Sequence, residues 1–426
     1  MSLRTTSRKT LRGGMVIAVA MGIMNVTTYG FTILAARLLG PAEYGALAAV
    51  MGLLLVVNVL SLGLQATGAR RVSAAPHDLP HIEREVLATS YVSALALGLL
   101  VLVATPVITA TLNLDSWAVA ALIAVTAVPL SVMGGQAGIL QGERRWGPLA
   151  MIYLCVGVGR LGFGIVALIL EPNTLGAMVG VAVGAFLPMI VGWMALRHPD
   201  RRQVGVSPQA VDRPSPWAAG GVLRETMHNS HALLAFFALS NADVIIARST
   251  LDEHQAGLYA GGLILAKAVL FLPQFVVVIA FPSMSRAGAG RRMHLYSLGL
   301  VLAIGAFTVA CTALLASIAV VFIGGSEYSD LQGQLWAFAL LGTLLAMIQL
   351  MIYDVVARQH QTMVFFVWGA LAALLCMSPF VDSLRFLITT VLCVDAALFA
   401  VLLFTSLRDA RVVHEGPRRE DAPHPA

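Results

Sequence analysis

Charge is scarce in this sequence. Asp, Glu, Lys and Arg make up 12% of its 426 residues, whereas a soluble domain carries about 25%. Lysine is scarcer still, with Lys9 and Lys267 the only two. So few charges cannot cover a soluble globule of this size, and no hydrophilic stretch is long enough to make a separate catalytic domain. There is no G-x-x-x-x-G-K-[ST] motif. The nearest stretch, GGLILAK, lacks the GK[ST] ending, so the chain is not expected to hydrolyse nucleotide by itself. Cys155, Cys311, Cys376 and Cys393 lie in apolar runs without paired spacing, which excludes a disulfide framework and a thiolate metal site. His228 and His231 lack the further ligands a metal needs. No cofactor is expected. The outward loops expected below are too short for a membrane-embedded polymerase or glycosyltransferase, so the chain does not read as an enzyme.

Apolar residues are what is abundant: 58% of the chain, with a mean hydropathy of +0.84. Apolar runs of 18 or more residues recur along nearly the whole length, and about 20 such residues span a bilayer. The expected class is an all-α integral membrane protein with about twelve spans. The first six fall near 14–36, 42–67, 87–110, 116–140, 147–170 and 174–196. The others fall near 226–248, 255–283, 297–323, 331–356, 361–380 and 386–407. The first apolar run is too long for a signal-peptide core and is followed by no persuasive cleavage site, so it reads as a retained helix. Between the halves lies the hydrophilic stretch 197–225, rich in Arg, Pro and Gly. It reads as a linker, with a surface-lying piece around Trp217. The expected domains are a tail 1–13, an N-lobe 14–196, the linker, a C-lobe 226–407 and a tail 408–426.

Arginine is distributed unevenly among the loops. The two tails, the linker and alternate loops together hold 22 Lys and Arg residues, while the opposite loops hold only Arg37, Arg248 and Arg385. Under the positive-inside rule this places both termini in the cytoplasm. The basic excess therefore reports topology, and no nucleic-acid partner is expected. Trp117, Trp146 and Trp193 fall near span ends, as interfacial anchors do.

The two halves also look alike. Leu39, Gly45 and Ala48 precede Leu251, Gly257 and Ala260 by the same 212 positions, about half the chain. An even number of spans makes such halves parallel repeats, an arrangement common in transporters with a central site and alternating access.

Apart from charges at the extreme ends of spans, two cations and two acids fall inside them. Charges there are costly and face a cavity or a partner. Arg160 is in the middle of the fifth span and Lys267 of the eighth; Asp243 lies in the seventh and Asp395 in the twelfth. One reading is a hydrated cavity whose cations, Arg160 and Lys267, hold an anionic headgroup such as a phosphate, with Asn25, Gln65 and Gln274 as polar company. The other is internal pairing, Lys267 with Asp243 for example. Counted from their shared turn, these two differ in depth by roughly 10 Å, so a direct pair needs a bent helix. Asp243 is the candidate ion-coupling or protonation site. Pro273 and Gly30 are candidate kinks within spans.

Several stretches resemble the bacterial polysaccharide-biosynthesis (oligosaccharide flippase) family of the multidrug/oligosaccharidyl-lipid/polysaccharide exporter superfamily. They are RLLGPAEYG, LQGERRW, NADVIIARSTLDEHQAGLYAGGLILAKAVLFLPQ and FPSMSR, and the similarity extends over roughly residues 14–407. The resemblance implies two six-helix lobes in a V, with a cavity lined chiefly by spans 1, 2, 7 and 8. It implies movement of a polyprenyl-diphosphate-linked saccharide across the bacterial plasma membrane, with membrane lipids and polysaccharide polymerase or glycosyltransferases as partners. Asp243, Lys267 and Arg160 match polar positions of the family pattern. The lipid II flippases of that superfamily carry extra C-terminal helices, so twelve spans argue against the peptidoglycan precursor. The rival reading is an ion-coupled multidrug exporter of the same superfamily.

Overall fold

The structure is a computed structural model that describes residues 2–197, 220–270, 290–358 and 362–412. Among these residues all regular structure is helical. The elements of the first half are α1 (Ser2–Val57), α2 (Val59–Ala74), α3 (Leu79–Thr111), α4 (Trp117–Gly142), α5 (Trp146–Leu170) and α6 (Thr174–Arg197). Those of the second half are α7 (Gly220–Thr250), α8 (Glu253–Leu270), α9 (Gly290–Leu314), α10 (Ala316–Ile323), α11 (Leu335–Arg358), α12 (Thr362–Met377) and α13 (Leu384–Val412). Most of the linker, Trp217, Pro273, Gln274 and the FPSMSR motif lie outside the described residues.

Nine described helical stretches are long and apolar enough to cross a membrane. One of them, Gly13–Ala74, has 62 residues. At about 1.5 Å per residue it would be roughly three bilayers long, so it must turn back. It does so at Gly40, whose φ of 69° is open to glycine and costly for other residues. Pro41 follows, where a helix's first turn needs no N–H donor. The first two expected spans are thus the two limbs of one hairpin. Counting these limbs separately, and adding α8 and the bent pair α9–α10, the fold accommodates the twelve spans.

Two spans depart from the sequence expectation. The second extends beyond 67 to Ala74 and is broken at Asn58, between α1 and α2. The ninth is bent by 94° between Leu314 and Ala316. The outer faces of α3 (Val92, Leu95, Leu99, Val103) and α9 (Leu300, Phe307) expose large apolar side chains, as lipid-facing surfaces do. Inside, small residues let helices approach closely. On α5 and α6, a Cβ on Gly159 would sit 2.9 Å from the Gly184 carbonyl oxygen, and one on Gly184 would sit 2.7 Å from that of Gly159.

The two halves meet along a seam with a contact zone at each end. At the Gly40 end, Gly45 packs on Gly257, and a Cβ on Gly257 would fall 1.9 Å from the Pro41 carbonyl oxygen. Tyr328 donates its hydroxyl to the Ala36 carbonyl (3.2 Å), and Arg37 donates to that of Val321 (2.5 Å). Arg248 reaches from α7 into the α3–α4 turn, donating to the carbonyls of Leu112 (3.0 Å) and Asn113 (2.9 Å). At the Arg71 end, the buried Arg71 side chain lies between Glu85 of α3 (3.3 Å) and Glu225 of α7 (3.1 Å). Arg70 also pairs with Glu225, and Thr226 bonds Thr67 across the seam (3.2 Å).

Candidate functional site

A cavity of about 170 Å³ lies between the halves, lined by both limbs of α1 and by α5, α7 and α8. Spans 1, 2, 7 and 8 form most of its wall, as expected, and the fifth contributes one residue, Arg160. The repeat explains the cavity's position. Thr32, Ala48, Met51 and Leu55 line one side; Val244, Ala260, Leu263 and Lys267, each 212 positions later, line the other. The cavity therefore sits on the pseudo-symmetry axis between the repeats. One of these matched pairs joins an apolar to a charged residue: Leu55 stands where the second half has Lys267.

Arg160 and Lys267 both line this cavity, from opposite halves. Lys267 Nζ donates to Asn241 Oδ1 on α7 (3.1 Å). It forms no ion pair within 4 Å of Asp243 among the described residues. In keeping with the depth mismatch read from the sequence, Lys267 reaches Asn241, two residues from Asp243, and not Asp243 itself. Arg160 makes no ion pair with any described residue.

Asp243 does not line the cavity. It is buried behind the wall, accepting from the Tyr259 hydroxyl (3.0 Å) and from the Val244 backbone N–H (2.8 Å). Asp395 on α13 is also buried, within charge–charge reach of Asp243. Both membrane acids thus belong to the interior of the second half, while the cations face the space between halves.

The remaining expected site residues stand elsewhere. Asn25 is half-buried on α1, engaged by other contacts and absent from the cavity wall. Gln65 lies on α2, away from this wall, and its amide donates to Gln141 Oε1 (2.9 Å) and to the Tyr153 hydroxyl (2.6 Å). Neither residue lines the central cavity. Polar in-span residues satisfy each other inside one half as readily as they line a site. Gln274 lies outside the described residues.

Other residues of the site were not singled out from the sequence. Thr28 and Thr32 are one turn apart and place hydroxyls on the cavity wall, a spacing visible in NVTTYGFT. Tyr29 donates to the Ile264 carbonyl across the seam (2.9 Å). Asn241 and Tyr259 carried weaker signals, an amide and a phenol in otherwise apolar runs.

Paired helical repeats around a largely apolar central cavity that carries two cationic side chains are the architecture of a two-lobed membrane transporter. The chain matches the model of the polysaccharide biosynthesis protein family over residues 10–288 and belongs to that family. Among solved structures it is similar to a multidrug resistance MATE family transporter of the MOP superfamily in an inward-facing conformation. The TM-score is 0.69 at 14% identity, covering 94% of this chain and all of that one. An outward-facing MATE family transporter gives a TM-score of 0.56 at 15% identity, covering 94% and 95%. A MOP superfamily transporter from Pyrococcus furiosus, described as having a binding pocket of reverse polarity that suggests a different function, gives 0.55 at 14% identity, covering 94% and 96%. No curated protein matches the sequence.

Proposed function

We propose that the protein carries a polyprenyl-diphosphate-linked saccharide from the cytoplasmic to the outer leaflet of a bacterial plasma membrane. The observation that carries this reading is the placement of charge. Arg160 and Lys267 face one cavity from opposite halves, while Asp243 and Asp395 are turned away from it. A diphosphate cannot cross hydrocarbon unpaired. Two cations contributed by separate lobes can hold it while the lobes rock. The arginine-rich loops support a reading in which the Arg71 end faces the cytoplasm and the Gly40 end the outside. Polysaccharide polymerase or glycosyltransferases are the proposed partners.

The test is mass spectrometry of lipid extracts from a strain depleted of the protein. One polyprenyl-diphosphate saccharide is expected to accumulate. No accumulation, together with new sensitivity to cationic dyes, would support instead the multidrug exporter that the MATE fold also accommodates.

Asp243 is the proposed coupling site. It sits one residue from Ala242 and two from Asn241, the Lys267 acceptor, so a proton or cation taken up by its carboxylate changes the charge that Lys267 senses. In reconstituted vesicles Asp243→Asn is expected to bind the lipid normally but to lose acceleration by an imposed proton or sodium gradient. Acceleration equal to that of the unaltered protein under both gradients would exclude Asp243 from coupling.

A further inference from the structure

We infer that Gln65, Gln141 and Tyr153 form a saccharide subsite next to the phosphate-binding cations; this rests on the function proposed above. A cargo held by its diphosphate at Arg160 and Lys267 must place its sugar on one side or the other. Toward the Gly40 end the wall is Phe31, Thr32, Tyr44, Leu47, Ala260 and Leu263, and the space ends where Gly45 meets Gly257. The hydroxyls of Tyr44 and of Thr32, which already donates to the Thr28 carbonyl, are the few polar groups there, so most sugar hydroxyls buried there would lack partners, which is costly. The Arg71 side differs.

Tyr153 precedes Arg160 by seven residues on α5, two turns along the same face and about 10 Å away. Its hydroxyl accepts from the Gln65 amide, which also donates to Gln141, so α2, α4 and α5 each supply one member. Gln141 is exposed, and Gln65 and Tyr153 are half-exposed. Within the cluster, the Gln65 amide commits both of its N–H groups. That leaves the Gln65 carbonyl, the Gln141 amide N–H groups and the Tyr153 hydroxyl proton. Donors and an acceptor in this proximity match adjacent sugar hydroxyls, each of which both donates and accepts. None of the three carries charge, so the cluster offers a diphosphate little and a sugar much.

The same contacts could serve only to tie three helices together, and a two-probe measurement separates the roles. The full chain in lipid nanodiscs is titrated with undecaprenyl diphosphate and with undecaprenyl diphosphate bearing one N-acetylglucosamine. The unaltered protein is expected to bind the sugar-bearing lipid more tightly. Tyr153→Phe and Gln141→Ala, one keeping the ring and the other at an exposed position, are each expected to weaken the sugar-bearing probe about tenfold, as a lost hydrogen bond or two would. Binding of the bare diphosphate should be unchanged. Equal loss for both probes, or no loss for either, would overturn the subsite and leave the phosphate reading standing. If the unaltered protein binds neither probe, the phosphate reading itself falls and the subsite falls with it.

Discussion

Lys267→Ala is expected to slow transfer of the lipid-linked saccharide by ten- to a hundredfold in reconstituted vesicles, with the protein still folded. The size follows from the bond removed. A hydrogen bond to a charged group contributes about 1.5–3 kcal/mol, and each 1.4 kcal/mol is about a factor of ten. Folding should survive because Lys267 makes no ion pair with any described residue. Its ammonium bonds one neutral amide, Asn241, at the edge of the cavity. Removing it therefore breaks no direct ion pair; Asp243 interacts with its charge only at longer range and keeps its bonds from Tyr259 and Val244. Lys267→Arg, which keeps the charge, should recover much of the rate. Arg160→Ala should behave like Lys267→Ala, since Arg160 also lacks an ionic partner among the described residues. Transfer by a monodisperse Lys267→Ala protein at the unaltered rate would remove the cation from the mechanism.

The second large effect is on stability. Arg71 is 1% exposed and stands between Glu85 and Glu225, whose side chains are 10% and 12% exposed. Replacing it by leucine leaves Glu85 and Glu225 without their shared buried cation, with the exposed His81 and Arg70 as their remaining partners. Breaking a buried pair from one side costs about 3–5 kcal/mol, so Arg71→Leu should lower the midpoint of thermal unfolding in detergent clearly. Arg70, whose side chain is 58% exposed, contributes little by comparison, as surface pairs do. Replacing Arg71, Glu85 and Glu225 together by methionine should restore most of the loss, because a buried ionic cluster exchanged for apolar side chains is often neutral or better. An Arg71→Leu protein as stable as the unaltered one would mean that the triad does not hold the halves together.

The fold was legible in the sequence where the bilayer dictates the pattern. Run length exposed most of the spans, and the matched glycines and alanines exposed the repeat. Gly45 and Gly257 prove to touch, and Ala48 and Ala260 prove to face the same cavity. What escaped depends on contacts between elements. The bend at Leu315 lies in the sequence ALLAS, which contains neither glycine nor proline. The second span continues through Gln65 and Arg71 because α4 and α7 pack against it, although its hydropathy falls there. Of the site, Arg160 and Lys267 could be found because charge inside a span is rare. That Asn241 is the acceptor for Lys267 could not be read, since it depends on the rotational register of α7 against α8. That Gln65 and Asn25 stand off the cavity wall could not be read for the same reason: an amide in an apolar run shows that a partner is needed, without showing on which side of the helix.

The break at Asn58 has a mechanical consequence. It divides the second span into a limb that carries the glycine contact with α8 and a limb that carries the threonine and ionic contacts with α7. A continuous helix would act as a rigid lever, and prising its Gly40 end away from α8 would wrench its Arg71 end from α7. The interruption at Asn58 lies near the middle of the span, so a bend there disturbs fewer helical hydrogen bonds than one elsewhere along it. Loosening at one end then need not break the contacts at the other, and the two halves stay tethered.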